Sequence, residues 1–169
     1  MKKLILLVTM ILIIVMVNKK EEIIIPKEAI RFRVIANSND QDDQKTKIHV
    51  RDSIQNHLYE DLLSTKNITE AREKVNKNIT KYEQIIEKSL VNINSDETYK
   101  INYGQNYFPE KNYKGITYKE GYYESLVVTL GEGEGDNFWC VLFPPLCFEE
   151  KTDYKYKSFI KEIFDKIFE

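Results

Sequence analysis

The sequence predicts an α+β fold, and three observations carry that prediction. A period-two stretch opens the folded part of the chain. Two helix-period stretches follow it, and then come several strand patterns with a last helix-period stretch at the end.

The chain begins Met1-Lys2-Lys3 and then runs apolar from Leu4 to Val17, broken only by Thr9. A basic start before such a run reads as the two leading regions of a secretory signal. A helix of about 14 residues reaches roughly 21 Å, short of the ~30 Å hydrocarbon core. Val15-Met16-Val17-Asn18 offers no small-x-small cleavage pattern, so the run is either a signal sequence or a retained signal anchor. Lys2 and Lys3 favour a cytoplasmic N-terminus, and Lys19 and Lys20 blur that bias. A buried core helix is disfavoured, because the run lacks amphipathicity and stands at the N-terminus. The expected organisation is a signal or anchor over residues 1–18, a tether over 19–29 and a single extracytoplasmic domain over 30–169.

Ile30 to Ala36 alternates apolar residues with Arg31 and Arg33, which predicts a strand. Asn37-Ser38-Asn39-Asp40 is a turn rich in helix N-cap residues. From Asp42 to Leu63, Ile48, Val50, Ile54, Leu58, Leu62 and Leu63 form the apolar side of a helix. Asn67-Ile68-Thr69-Glu70 resembles a capping box, and Ala71, Val75, Ile79, Tyr82, Ile86 and Leu90 continue a second stripe. The short polar connection predicts an antiparallel helix pair.

Thr98 to Tyr103 alternates as a strand and leads into an aromatic, glycine-containing stretch. Ser125 to Leu130 is a second strand. Gly131 to Asn137 reads as a mobile hairpin connection, with Phe138 to Phe143 as the return strand and Pro144-Pro145 as its stop. Tyr154 to Phe168 carries Phe159, Ile160, Ile163, Phe164, Ile167 and Phe168 at helical spacing. That helix either covers the sheet or lies on a membrane surface, and Glu162, Asp165 and Glu169 weigh against the membrane.

Composition excludes some functions. There are 25 Lys and Arg against 27 Asp and Glu, a net charge of −2, with no basic patch. Nucleic acid is therefore not the expected partner. The two cysteines are Cys140 and Cys147, and the two histidines, His49 and His57, share the first predicted helix. A cysteine nucleophile needs a base beside it and a lowered pKa, whereas Cys140 sits inside a strand pattern. In an exported chain the pair reads first as a disulfide, with two buried thiols or a catalytic thiol as the alternatives. The run Gly131-x-Gly133-x-Gly135 lacks the lysine and hydroxyl of a phosphate loop, and Glu132, Glu134 and Asp136 would repel an anion. Its acids have calcium-ligand chemistry without EF-hand spacing. No metal or cofactor is expected. Asn67-Ile68-Thr69 and Asn78-Ile79-Thr80 match glycosylation acceptors by chance.

The remaining signal is apolar. Trp139, Val141 and Phe143 alternate and read as core. Tyr107, Phe108 and Pro109, with Pro144, Pro145 and Leu146, fall in segments that read as irregular. They are the expected exposed contacts for a protein partner, with a Cys140–Cys147 bond fixing the turn.

Three motifs carry a resemblance: RVIANS at Arg33–Ser38, NYGQNYFP at Asn102–Pro109 and LGEGEGDNFWCVLFPPLC at Leu130–Cys147. In that order they resemble the stage II sporulation protein R family of endospore-forming Firmicutes. The resemblance implies a signalling protein and not an enzyme. It implies export from the forespore into the space between the two membranes that separate it from the mother cell. There such a protein activates a membrane-embedded aspartic protease, stage II sporulation protein GA, which processes pro-sigma-E. The competing readings are an exported hydrolase, acting on cell wall or peptide through Cys140 or a carboxylate pair, and a plain anchored structural module.

Overall fold

The computed structural model of the chain describes residues 28–113 and 116–144. The N-terminal apolar run, the stretch Tyr154–Phe168, and Pro145, Leu146 and Cys147 lie outside the described residues. Within them run the strands β1 (Ile30–Ile35), β2 (Tyr99–Phe108), β3 (Lys111–Tyr113), β4 (Ile116–Tyr118), β5 (Gly121–Leu130) and β6 (Asn137–Phe143). Three helices, α1 (Gln41–Leu62), α2 (Ile68–Lys77) and α3 (Ile79–Asn92), lie between β1 and β2. The fold is α+β, as expected, with a mostly antiparallel four-stranded sheet.

The sheet order is β2-β5-β1-β6, with β3 and β4 forming a separate two-stranded pair between β2 and β5. Strand β1 runs parallel to β5 and antiparallel to β6. Its alternation decides the layers. Ile30, Phe32 and Val34 are fully buried and join Leu126, Val128 and Leu130 of β5 and Cys140 and Leu142 of β6 in the main core. All three helices feed their buried residues into that same core. Arg31 and Arg33 therefore point to the other, outer face of the sheet.

Helix α1 buries Val50, Ile54, Leu58 and Leu62, a strict four-residue series. Ile48 and Leu63, expected on that stripe, are 44% and 59% exposed, because they step off the series. The second predicted helix is in fact two. Asn78 breaks it, with φ −102° and ψ 9°. Its backbone N–H is shared between the carbonyls of Lys74 (3.2 Å) and Val75 (3.1 Å), while its side chain donates to Asp61 Oδ2 at 2.9 Å. An Asn side chain with its own partner competes with a regular helical turn. The apolar stripe survives the break, since Ala71, Val75, Tyr82, Ile86 and Leu90 all reach the core. The predicted N-cap holds: Asn67 Oδ1 accepts from the Glu70 N–H at 2.9 Å. The Glu70 carboxylate reaches back to the Lys66 N–H at 2.9 Å.

Two carboxylates tie the helices down. Asp61 accepts from Lys81 Nζ at 2.9 Å, the Tyr82 hydroxyl at 3.0 Å and Asn78 Nδ2. Glu124 accepts a forked pair from Arg72, at 2.8 Å from Nη2 and 2.9 Å from Nε, and a 2.7 Å bond from the Tyr103 hydroxyl. Burial alone would raise both carboxyl pKa values. The hydrogen bonds outweigh it and hold both below the ordinary range. A depressed folded-state pKa adds stability above the unfolded value, which is lost as pH falls through the folded one. The chain is therefore expected to lose stability below about pH 4. Asp61→Asn combined with Glu124→Gln should flatten that slope in urea titrations across the acid range. An unchanged slope would remove these two groups from the account.

The predicted hairpin between Ser125–Leu130 and Phe138–Phe143 is corrected by the strand order. β5 and β6 do not pair, because β1 lies between them. The connection from Gly131 to Asp136 is a bridge over the end of β1, spanning two strand spacings, or roughly 10 Å. The other difference is length. β2 runs to Phe108 and β5 begins at Gly121, so the NYGQNYFP segment is strand almost throughout and not irregular.

Candidate docking surface and its supports

The motifs meet in two places, the first and third at one of them and all three at the other. The first is the bridge over β1. The Glu134 N–H donates to the Asn37 carbonyl and the Gly135 N–H to the Ala36 carbonyl, both at 2.9 Å. Asn37 Oδ1 accepts from the Glu132 N–H at 3.0 Å, and Asn39 Oδ1 from the Asp136 N–H at 2.7 Å. Asp43, in the first turn of α1, orients this clasp by accepting from Asn37 Nδ2 (3.0 Å) and the Ser38 hydroxyl (2.6 Å). The buried Lys47 ammonium donates to the Asp136 carbonyl at 3.0 Å, and its burial lowers its pKa. A mobile tip was expected here; the glycine run is instead held by side chains of Asn37 and Asn39. Glycine is required for two separate reasons. Gly131 has φ +52°, and a Cβ on Gly135 would collide with the Ser38 carbonyl.

The second meeting place is the outer face. β2 and β6 are opposite edges of the sheet, three strand spacings or roughly 14 Å apart. Yet the Phe108 ring lies 5.1 Å from the Trp139 ring, edge to face, and Arg33 Nη1 donates to the Tyr107 carbonyl at 3.2 Å. The β2–β5 ribbon must therefore curl over the outer face. Asn106 sits at this bend, donating to the Gly104 carbonyl (3.2 Å) and to Ser125 Oγ (3.0 Å).

Under the curl, cations and rings alternate. The Arg31 guanidinium lies 3.4 Å from the Tyr123 ring centre and 5.6 Å from that of Phe108. Arg33 lies 5.4 Å from Phe108 and 5.8 Å from Trp139, and Lys111 Nζ lies 5.0 Å from Trp139. Burial lowers the Arg33 pKa, and the ring faces offset part of that desolvation.

The expected contact residues now separate. Phe108 is 1% exposed, so it is a packing residue of the outer face and its expected exposure is overturned. Pro144 is buried as well. Tyr107 is 48% exposed and Pro109 is exposed. Cys140 is buried in the main core, and Cys147 lies outside the described residues. His49 and His57 are partly exposed on α1, with His57 Nδ1 3.6 Å from Glu60 Oε2.

One surface residue was missed from sequence. Tyr122 is directly opposite Tyr107 in the β2–β5 register and is 72% exposed. The two rings meet edge to face at 5.7 Å, and the Tyr107 hydroxyl donates to Glu120 Oε2 at 2.8 Å, which raises its pKa. Both tyrosines share the helix-facing side of the ribbon. They lie beyond the Arg72–Glu124–Tyr103 tie along the ribbon. A rigid exposed pair of tyrosines is the residue chemistry of protein interfaces. Alternation places Arg31 and Arg33 on the polar side of β1, and the strand order makes that strand central, so both need partners above the sheet.

A model of a family described as stage II sporulation protein R matches residues 26–153. A stage II sporulation protein R of Bacillus subtilis (strain 168) is 34% identical over 144 residues, which cover 85% of this chain. The chain spans 63% of that relative's length. No solved structure gives a significant match.

Proposed function

We propose a function from one premise: this chain belongs to the stage II sporulation protein R family. It is a sporulation protein. We infer that it acts as an exported signal between forespore and mother cell. In this reading it activates the membrane-embedded aspartic protease, stage II sporulation protein GA, that processes pro-sigma-E. The apolar N-terminal run supports export. The observation that best supports a protein-docking role is the Tyr107–Tyr122 pair at the ribbon end, with Pro109 beside it. Pro145 and Leu146 belong to the same proposal. Phe108 and Pro144 serve it from beneath, by supporting the ribbon and the end of β6. A ligand of this kind activates only by binding the active protease better than the inactive one.

The test is reconstitution. The full chain, the protease and pro-sigma-E are co-expressed in a non-sporulating cell, and the size of sigma-E is followed. Processing that needs both proteins is the expected result. Its absence, with exported folded chain present, overturns the reading and reopens the hydrolase. In the same assay Tyr107→Ala with Tyr122→Ala should abolish processing, while the unfolding midpoint barely moves. Normal processing by that variant would discard the tyrosine surface.

The Cys140–Cys147 bond also belongs to this proposal. Cys140→Ser and Cys147→Ser should each cost ~2–3 kcal/mol, the scale for so short a loop. The double variant should cost little more than either single one in denaturant unfolding. Additive losses would mean two independent thiols, and loss of function from Cys140→Ser alone would favour a catalytic one.

A further inference from the structure

The outer face lacks a helix layer among the described residues, because α1, α2 and α3 all pack on the main core. It still holds buried side chains outside that core: Val127 is 7% and Val141 8% exposed. It also holds buried polar atoms without a hydrogen-bond partner among the described residues, namely Arg33 Nε, Trp139 Nε1 and Asn137 Oδ1. Neither Arg33 nor Lys111 has a carboxylate partner among those residues. A face that combines buried valines and a tryptophan with unmet donors, and with two cations that have no carboxylate partner among the described residues, suits a segment with acids and a hydrophobic stripe.

The chain itself carries such a segment. After Pro144 it reads PLCFEEKTD, with Glu149, Glu150 and Asp153, and then the stripe of Phe159, Ile160, Ile163, Phe164, Ile167 and Phe168. Strand β6 is an edge strand, so the chain leaves it at the rim of this face. Residues 145–153 can reach about 30 Å when extended, twice the roughly 14 Å between the sheet's edge strands. A helix over Tyr154–Phe168 would be about 22 Å long, matching a strand of six or seven residues.

We propose that Tyr154–Phe168 docks as a helix across the outer face, beside the curled ribbon. Its apolar stripe covers Val127, Val141 and Trp139, and the acids that precede it face Arg33 and Lys111. The sheet then lies between two helical layers. This proposal is independent of the signalling role, and all of Tyr154–Phe168 lies beyond the residues matched by the family model, which end at 153.

The test uses the full chain in vesicles. Phe164 is replaced by a photoreactive benzoylphenylalanine, and the cross-linked peptides are mapped by mass spectrometry. Cross-links within one chain, to the peptides of Val127 or of Trp139–Val141, are expected. Cross-links to the helices, to lipid or to a second copy, or no cross-link at all, would overturn the proposal. A second measurement exploits Trp139, the only tryptophan. Ile163→Glu with Phe164→Glu should red-shift its emission and raise acrylamide quenching several-fold. Emission and quenching identical to the parent chain would overturn it too.

Discussion

Phe108→Ala is expected to cost about 3–5 kcal/mol in denaturant unfolding, the scale for deleting a buried aromatic side chain. The ring is 1% exposed and stands between Tyr123, Trp139 and the two β1 arginines. Its removal opens a cavity and strips ring faces from two desolvated guanidinium groups, so the curl of the ribbon should loosen. Phe108→Leu should recover much of the loss, because volume matters more than aromaticity at a packing site. Tyr107, the next residue in the strand, makes the contrast. Its ring faces the opposite way, and Tyr107→Ala alone should cost under about 1 kcal/mol. If Phe108→Ala unfolds like the parent chain, the ring does not hold the ribbon onto the outer face.

Gly135→Ala is the other large effect. Its Cβ would strike the Ser38 backbone carbonyl, which cannot rotate aside as a side chain can. The bridge would have to release its bonds to Ala36 and Asn37. Loss of two backbone hydrogen bonds, with the strain of displacement, costs about 3 kcal/mol or prevents folding. Amide hydrogen exchange should show the Gly135 and Glu134 N–H groups deprotected well before those of β5. A variant within about 0.5 kcal/mol of the parent, with those amides still protected, would show that the bridge is not a constraint.

The consequence for function is that the two most glycine- and aromatic-rich motifs are first of all fold-makers. The bridge locks β1 between β5 and β6, and the Phe108 stack sets the direction in which the ribbon end leaves the sheet. The exposed tyrosines are positioned by residues that never reach the surface. If the proposed signalling role holds, substitutions in either motif should disturb it through the fold and not through the exposed tyrosines. Stability has to be measured beside activity for every variant.

Local pattern determined much of this protein. Period two identified β1 and the start of β2, apolar strand-forming runs identified β5 and β6, and helical spacing identified the helix faces. The Asn67 cap marked where α2 starts, and the three motifs pointed to the family. Those signals are local because they reflect which side of an element is apolar. Tertiary structure alone decided which strands are neighbours. Ser125–Leu130 and Phe138–Phe143 look like the arms of a hairpin because they are adjacent in sequence and joined by glycines. Alternation is identical whether such strands pair directly or admit β1 between them. The burial of Phe108 was decided at the same level. Asn102, Gly104, Asn106 and Phe108 share one side of β2, a polar pattern that reads as solvent-facing. Only the curl of the ribbon, from one edge of the sheet towards the other, brings the last member of that series over Arg31, Arg33 and Trp139 and removes it from water.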